Sequence, residues 1–349
     1  MNILLIQLKR IGDLVLTTPA IAAVRAKLPH AKITLVVAAG SSELLPAIHG
    51  VDETLIARGK VRDAAEWFTV ARRRYDYCFD FTRTDRSAFF TLLSAARKRV
   101  VANQPRFGAQ LRALSYNTPI NLRIGEMHTV DYHLALLEPL GIQNASPRTQ
   151  LDLPAEAIET GDRILASARL EPGKFLMLHP GSARREKFWV PERWAEIINT
   201  AGEHGLKSVV TGARSPFEQA HIAEIKSHCR HPFVDLSGRV DLLTLTALIK
   251  RAKLLTTVDS APMHLAAATA TPQVVLFGPT NPLHWGPRFT PALILQAGQQ
   301  GPVTEFNRKQ KALPMNLLST EQVIDAMKTL LAAPQAVTSY VGTDGTPTT

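Results

Sequence analysis

The sequence predicts an α/β protein of two doubly wound domains in series. Three observations carry this. Short β-branched or Leu-rich runs alternate with longer helical patterns; the alternation breaks over residues 143–172 and then restarts; and in each half a loop of small and charged residues follows the first apolar run. At 349 residues the chain is long enough for two such domains.

In the first half, residues 3–7 (Ile-Leu-Leu-Ile-Gln) form an apolar run too short for a helix and suited to a buried strand. Residues 32–37, 53–56, 76–81 and 99–102 repeat that signal. Helical patterns over 18–28, 61–74 and 86–97 fall between them, the first opening with Pro19 where a helix tolerates proline. Strands separated by helices imply a parallel sheet. The second half begins with a helix over 156–169 and continues with strands at 174–178, 208–211, 233–235, 254–258 and 274–277. Its helices lie at 191–204, 216–228, 242–251 and 320–331, two of them opening with Pro191 and Pro216. The expected division is 1–155, 156–332 and a tail over 333–349, whose Thr, Gly and Pro content predicts disorder.

Composition excludes several classes. Hydrophobic residues make up 45% and charged residues 20%, which suits a globular chain and not a disordered one. No apolar run approaches the ~20 residues of a spanning helix. Cys78 and Cys229 are the only cysteines and lie far apart, so neither a disulfide framework nor a CxxC site is available, and a reducing cytoplasm fits. The N-terminus reads as a strand followed by Lys9 and Arg10, the reverse of a signal peptide's charge order.

The net charge of +10 is unevenly placed. Residues 1–150 hold 20 Lys and Arg against 12 Asp and Glu, whereas residues 151–349 hold 20 against 18. Most of the excess lies between Arg58 and Arg123, which implies an anionic partner: nucleic acid, a phosphorylated substrate or a membrane face. Solvated helix faces are the competing explanation for any one run such as Arg72-Arg73-Arg74.

Neither GxGxxG nor a P-loop nor a GxSxG elbow is found. Ser227-His228-Cys229-Arg230-His231 lacks the partners of a metal site and carries an opposing cation. Three loops remain, each following a predicted strand, where open α/β sheets gather ligands. The first is Lys9-Arg10-Ile11-Gly12-Asp13: Gly12 permits a tight turn, and Asp13 is placed either to accept a substrate proton or to cap a helix. The second runs from His179-Pro180-Gly181-Ser182 to Lys187, in which small residues, the Ser182 hydroxyl and the Lys187 ammonium suit a phosphate. The third is Asp259-Ser260-Ala261-Pro262-Met263-His264, a helix start that suits an anion, with capping by Asp259 and packing by His264 as the alternatives. A further turn, Gly278-Pro279-Thr280, follows at the same predicted edge.

In that order, these motifs resemble glycosyltransferase family nine, the ADP-heptose:lipopolysaccharide heptosyltransferases of Gram-negative bacteria. The resemblance spans about residues 1–331, and the stretch from Ile3 to Pro19 looks most like the branch that adds the third, side-branch heptose. It implies a GT-B fold, two Rossmann-like domains facing across a cleft, with the acceptor on the first and the sugar nucleotide on the second. It implies an inverting transfer of heptose from ADP-heptose to the lipopolysaccharide inner core, with Asp13 as general base. Ser182, Lys187, Glu218, Asp259, Ser260 and His264 match its donor-binding positions. Ser260-Ala261 stands where many members have Thr-Gly, which keeps the hydroxyl but not the glycine. For the anionic acceptor, Arg58, Arg62, Arg83, Arg86 and Arg123 are the candidates, each near a predicted strand end or loop. The resemblance implies a cytoplasmic enzyme, peripheral at the cytoplasmic face of the inner membrane, with no cofactor, no metal and no nucleic acid. The alternatives are another nucleotide sugar on the same fold and, from a different class, a non-enzymatic nucleic-acid binder.

Overall fold

The computed structural model describes residues 1–104, 110–299, 303, 305–306, 313–333 and 339–341. The chain divides into two compact units, Met1–Asp152 and Leu153–Thr349. Unit 1 holds strands β1 (Asn2–Gln7), β2 (Lys32–Ala38), β3 (Glu53–Ala57), β4 (Tyr77–Asp80), β5 (Lys98–Ala102) and β6 (Thr118–Ile120). All pairings are parallel and the order is β3-β2-β1-β4-β5-β6. Unit 2 holds β7 (Phe175–His179), β8 (Lys207–Val210), β9 (Val234–Asp235), β10 (Leu254–Val258), β11 (Gln273–Phe277), β12 (Ala292–Gln296) and β13 (Ser339–Val341). Its order, β9-β8-β7-β10-β11-β12-β13, repeats the first with one strand added.

Both orders are those of a Rossmann-like sheet, in which the direction of winding reverses beside the first strand. The switch points fall between β1 and β4 and between β7 and β10. Sheets covered on both faces need strands that are apolar on both faces. Accordingly, Ile3 to Ile6 of β1 and every residue of β7, β10, β11 and β12 are buried. The unit 2 core gathers Leu176, Leu178, Val258, Leu276 and Leu295 with the indoles of Trp189 and Trp194, which meet edge-on at 5.3 Å.

Several elements depart from the sequence expectation. Over 61–74 the chain forms a 3-10 turn, Lys60–Asp63, and then a shorter helix, Ala64–Ala71. The cause is Asp63, whose buried carboxylate accepts the Arg58 and Gly59 N–H groups at 2.6 and 2.7 Å and pins the turn. Gly12 lies inside a short helix, Ile11–Val15, and is not a left-handed turn residue. Strands β6 and β12 went unread; β6 is three residues long and contains Pro119, which only a sheet edge tolerates. Within the tail, Ser339–Val341 pairs with β12, and most of the remainder lies outside the described residues.

Candidate functional site

In a parallel sheet the carboxyl ends of all strands share one edge, so the loops there are set by topology before any side chain is considered. At the unit 1 switch point, the loop after β1 meets the turn after β4. The Leu8 N–H donates to the Thr82 hydroxyl at 2.7 Å, tying them together. Asp80, fully buried at the end of β4, holds that turn: Oδ1 accepts the Thr82 and Arg83 N–H groups, and Oδ2 accepts the Ser87 and Tyr116 hydroxyls at 2.8 and 2.6 Å. Burial pushes the Asp80 carboxyl up from its ordinary value against the pull of these donors. Arg83 takes a left-handed φ of 63° and is exposed.

Asp13 sits in the first turn of Ile11–Val15, its side chain 19% exposed. Oδ2 accepts the Arg10 N–H at 3.3 Å, and Oδ1 lies 3.9 Å from the Lys9 ammonium. The carboxylate thus meets the cap geometry of the structural alternative while keeping contact with solvent. Its helix is braced from below. The Thr17 hydroxyl donates to the Asp13 carbonyl at 2.7 Å, Gln7 Nε2 donates to Thr17 at 2.9 Å, and His133 Nδ1 lies 3.1 Å from the Leu16 carbonyl. Burial drives the His133 imidazole down to about 3, so it is neutral. Sequence reading missed Gln7, Thr17 and His133; a glutamine ending an apolar strand was the available signal.

At the unit 2 switch point, the loop after β7 meets the loop after β10. Thr257 roots them together, its hydroxyl donating to the His179 carbonyl at 3.0 Å. Lys187 ends a short turn, Arg185–Lys187, that is anchored by the next residues: Trp189 is buried and its Nε1 donates to the Leu318 carbonyl at 3.0 Å. So positioned, Lys187 Nζ donates to Asp259 Oδ2 at 2.5 Å and to the Asp259 carbonyl at 3.1 Å. The two side chains are only 10% and 9% exposed. The Thr280 hydroxyl, from the loop after β11, also donates to Asp259 Oδ2 at 2.5 Å. Thr280 was read only as part of its turn; its place beside β10 follows from strand order.

Ser182 is buried in the same loop and accepts the Arg184 N–H weakly at 3.4 Å. Ser260 caps Ala261–Ala268 by position, its hydroxyl 3.3 Å from that of Thr257, and His264 is buried one turn in. Asp259 therefore precedes the cap and serves Lys187 instead. Glu218, in the first turn of Pro216–His228, is buried and accepts the Ala213 N–H at 2.9 Å. Its carboxylate lies where a Cβ on Gly181 would be, so the glycine makes room for the acid. Ser182, Lys187, Asp259 and Ser260 thus come together at one switch point, with Glu218 against the same loop.

The five candidate arginines share the carboxyl edge of unit 1 but not one environment. Arg62 is exposed, Arg123 is exposed and 3.6 Å from Glu126, and Arg58 pairs with Glu66 at 2.9 Å. Arg86 instead forks onto Asp63 at 2.8 and 3.1 Å, which ties its charge to the turn. Arg73, expected with its neighbours to face solvent or the membrane, forks onto Glu53 and is half-buried.

Two Rossmann-like units in series, each with polar loops at its switch point, have the makeup of the GT-B fold. A model of glycosyltransferase family 9 (heptosyltransferase) matches residues 66–315, and the chain belongs to that family. It is 26% identical to lipopolysaccharide heptosyltransferase 3 of Escherichia coli over 94% of this chain and 98% of that one. Among solved structures it matches the family 9 glycosyl transferase of Veillonella parvula with a TM-score of 0.82 at 24% identity, covering 95% and 97% of the two chains. It matches the ADP-heptose lipopolysaccharide heptosyltransferase II of E. coli with a TM-score of 0.75 at 21% identity, covering 96% and 100%.

Proposed function

We propose that this glycosyltransferase moves heptose from ADP-heptose to an anionic acceptor in the lipopolysaccharide inner core, with inversion at the anomeric carbon. One observation carries the donor half: the buried Lys187–Asp259–Thr280 cluster, beside Ser182 and the helix start at Ser260, at the unit 2 switch point. A diphosphate there receives charge-assisted hydrogen bonds from a lysine already oriented by its carboxylate. Helix N–H groups at Ser260 face the same anion. Glu218 is a hydrogen-bond acceptor for the ribose hydroxyls, and His264 lines the helix turn beneath. As the bond to the leaving ADP breaks, these donors stabilise the charge that develops on its phosphate.

Asp13 is the proposed base. An acceptor hydroxyl gives its proton to the carboxylate while its oxygen attacks the anomeric carbon from the face opposite ADP. Arg58, Arg62, Arg83 and Arg123 are proposed to hold the acceptor's phosphate and acidic groups, with Arg86 shaping the loop beside them. The domain roles follow: acceptor on unit 1, donor on unit 2, and work at the cytoplasmic face of the inner membrane.

The test is a transfer assay with ADP-heptose and defined truncated lipopolysaccharides, beside thermal shifts with ADP-heptose, UDP-glucose and GDP-mannose. Stabilisation and transfer are expected with ADP-heptose alone. A larger shift with either other donor replaces the sugar-nucleotide assignment.

A further inference from the structure

The sheet of unit 1 has two chemically different edges, and the proposed transfer uses the carboxyl one. Helices Ala64–Ala71 and Asp85–Leu93 run back to the opposite edge. There Arg72, Arg73 and Arg74 precede β4, and Arg97, Lys98 and Arg99 lead into β5. The two helices leave large apolar side chains in water: Phe68 is 62% exposed, Phe89 42% and Leu92 45%. Trp67 meets Phe89 edge-on at 4.9 Å and bridges the two helices, and Leu92 lies one turn beyond Phe89. The Arg72 guanidinium lies 5.0 Å over the Phe68 ring.

Nearby carboxylates do not offset the cations. Asp63 is taken by Arg86, Glu66 by Arg58 and Asp85 by Arg112, and Asp80 is buried; Asp76, which accepts the Asn2 N–H, keeps one negative charge against Arg72, Arg74, Arg97 and Lys98. Among the described residues, none of Arg72, Arg74 and Arg97 has a carboxylate within ion-pair distance. Single exposed apolar residues are ordinary, but a run of them on adjoining helices, bordered by cations, has the makeup of a surface that sits in a membrane interface. We propose that this face docks on an anionic lipid bilayer. Phe68, Phe89 and Leu92 enter the boundary between headgroups and acyl chains, while Arg72, Arg74 and Arg97 meet lipid phosphates. Among the described residues no helix is long and apolar enough to cross a membrane. A second copy is disfavoured as the occupant, because a twofold interface would set these cations against themselves.

The inference rests on the membrane-side reading for the kind of lipid, yet vesicle binding needs neither donor nor acceptor and so succeeds or fails apart from transfer. The full-length protein is floated with vesicles of phosphatidylethanolamine and phosphatidylglycerol, or of phosphatidylcholine alone. Binding is expected to the first only. Phe68→Ser with Leu92→Ser, and separately Arg72→Gln with Arg97→Gln, are each expected to lower the partition coefficient by about tenfold or more, with ADP affinity unchanged. Brominated acyl chains are expected to quench Trp67, identified by difference from Trp67→Phe, which needs no surface variant to fold. The proposal is overturned if the apolar variant binds as the native protein does, if native protein ignores anionic vesicles, or if ultracentrifugation shows a dimer that this variant abolishes.

Discussion

The two switch points share one topology and handle charge in opposite ways. In unit 2 the lysine and aspartate are buried, paired at 2.5 Å and braced by Thr280. In unit 1 the cations stand at the rim, where Arg58 is half exposed against a largely buried Glu66, Arg123 keeps an exposed partner, and Arg62 and Arg83 are open to solvent. A buried pair has already met the cost of leaving water and has one geometry, which suits the diphosphate proposed to bind there. Exposed arginines read total negative charge and tolerate variation, which suits the anionic acceptor proposed for unit 1. The difference teaches that one fold, used twice, can hold its charges fixed and buried at one switch point and loose at the rim of the other, which on the proposed reading makes a rigid site and a permissive one.

The largest expected effect breaks the symmetry of the two sites outright. Asp13→Ala lowers turnover by roughly 10²- to 10⁴-fold while ADP affinity changes little, because base removal acts on chemistry in unit 1 alone. Steady-state turnover beside calorimetry checks it; near-normal turnover in a folded variant removes Asp13 from the mechanism.

Next is the buried pair. Lys187→Met strands the Asp259 carboxylate and should cost about 3 to 5 kcal/mol of stability, besides weakening ADP binding by at least about tenfold. Lys187→Met combined with Asp259→Leu should recover much of the stability in urea titrations but none of the ADP affinity. Recovery of both would show that the pair is scaffold and no more.

Acid sharpens the comparison further. Burial holds His179 and His221 of unit 2 down to about 4, so below about pH 6.5 the unfolded chain binds protons that the folded unit refuses. Their contribution is complete at neutral pH and is lost as pH falls from about 6.5 toward 4. In unit 1, His133 acts in the same direction, but the raised Asp80 carboxyl takes up its proton more readily folded than unfolded and opposes the loss. Hydrogen exchange read by mass spectrometry at pH 7 and pH 5 should show unit 2 losing more protection, by on the order of 1 kcal/mol per histidine. Equal losses would contradict the burial argument.

The smallest effects belong to the rim. Alanine at Arg58, Arg62, Arg83 or Arg123 should raise the acceptor KM a few-fold, less at high salt, and leave the donor KM alone. Arg86→Ala should differ in kind, lowering stability by freeing the buried Asp63. A shift in donor KM for the first group, measured across a salt series, refutes the division of roles.

Much of this was legible. Apolar runs located β1, β2, β7, β10 and β11, because strands buried on both faces must be continuously hydrophobic. The loops after β1, β7 and β10 stood out by composition, and strand order then brought two of them together. What stayed hidden was pairing at a distance. Nothing in the local sequence says that Asp63 takes Arg86, that Asp259 takes Lys187 rather than capping a helix, or that His133 braces a turn more than a hundred residues away. Strand β12, with its Ala-Leu-Ile-Leu run, is as apolar as the strands the sequence reveals, and nothing in its composition hides it.

Gly181 and Glu218 carry a lesson about descent. Because the acid's carboxylate occupies the space of the missing side chain, the order in which the two positions change matters: alanine at 181 makes the Glu218 side chain swing aside and give up its bond from the Ala213 N–H. A lineage that first trades Glu218 for a smaller residue opens the gap and can then accept alanine at 181. One that begins with alanine at 181 collides with the acid and must displace it at once.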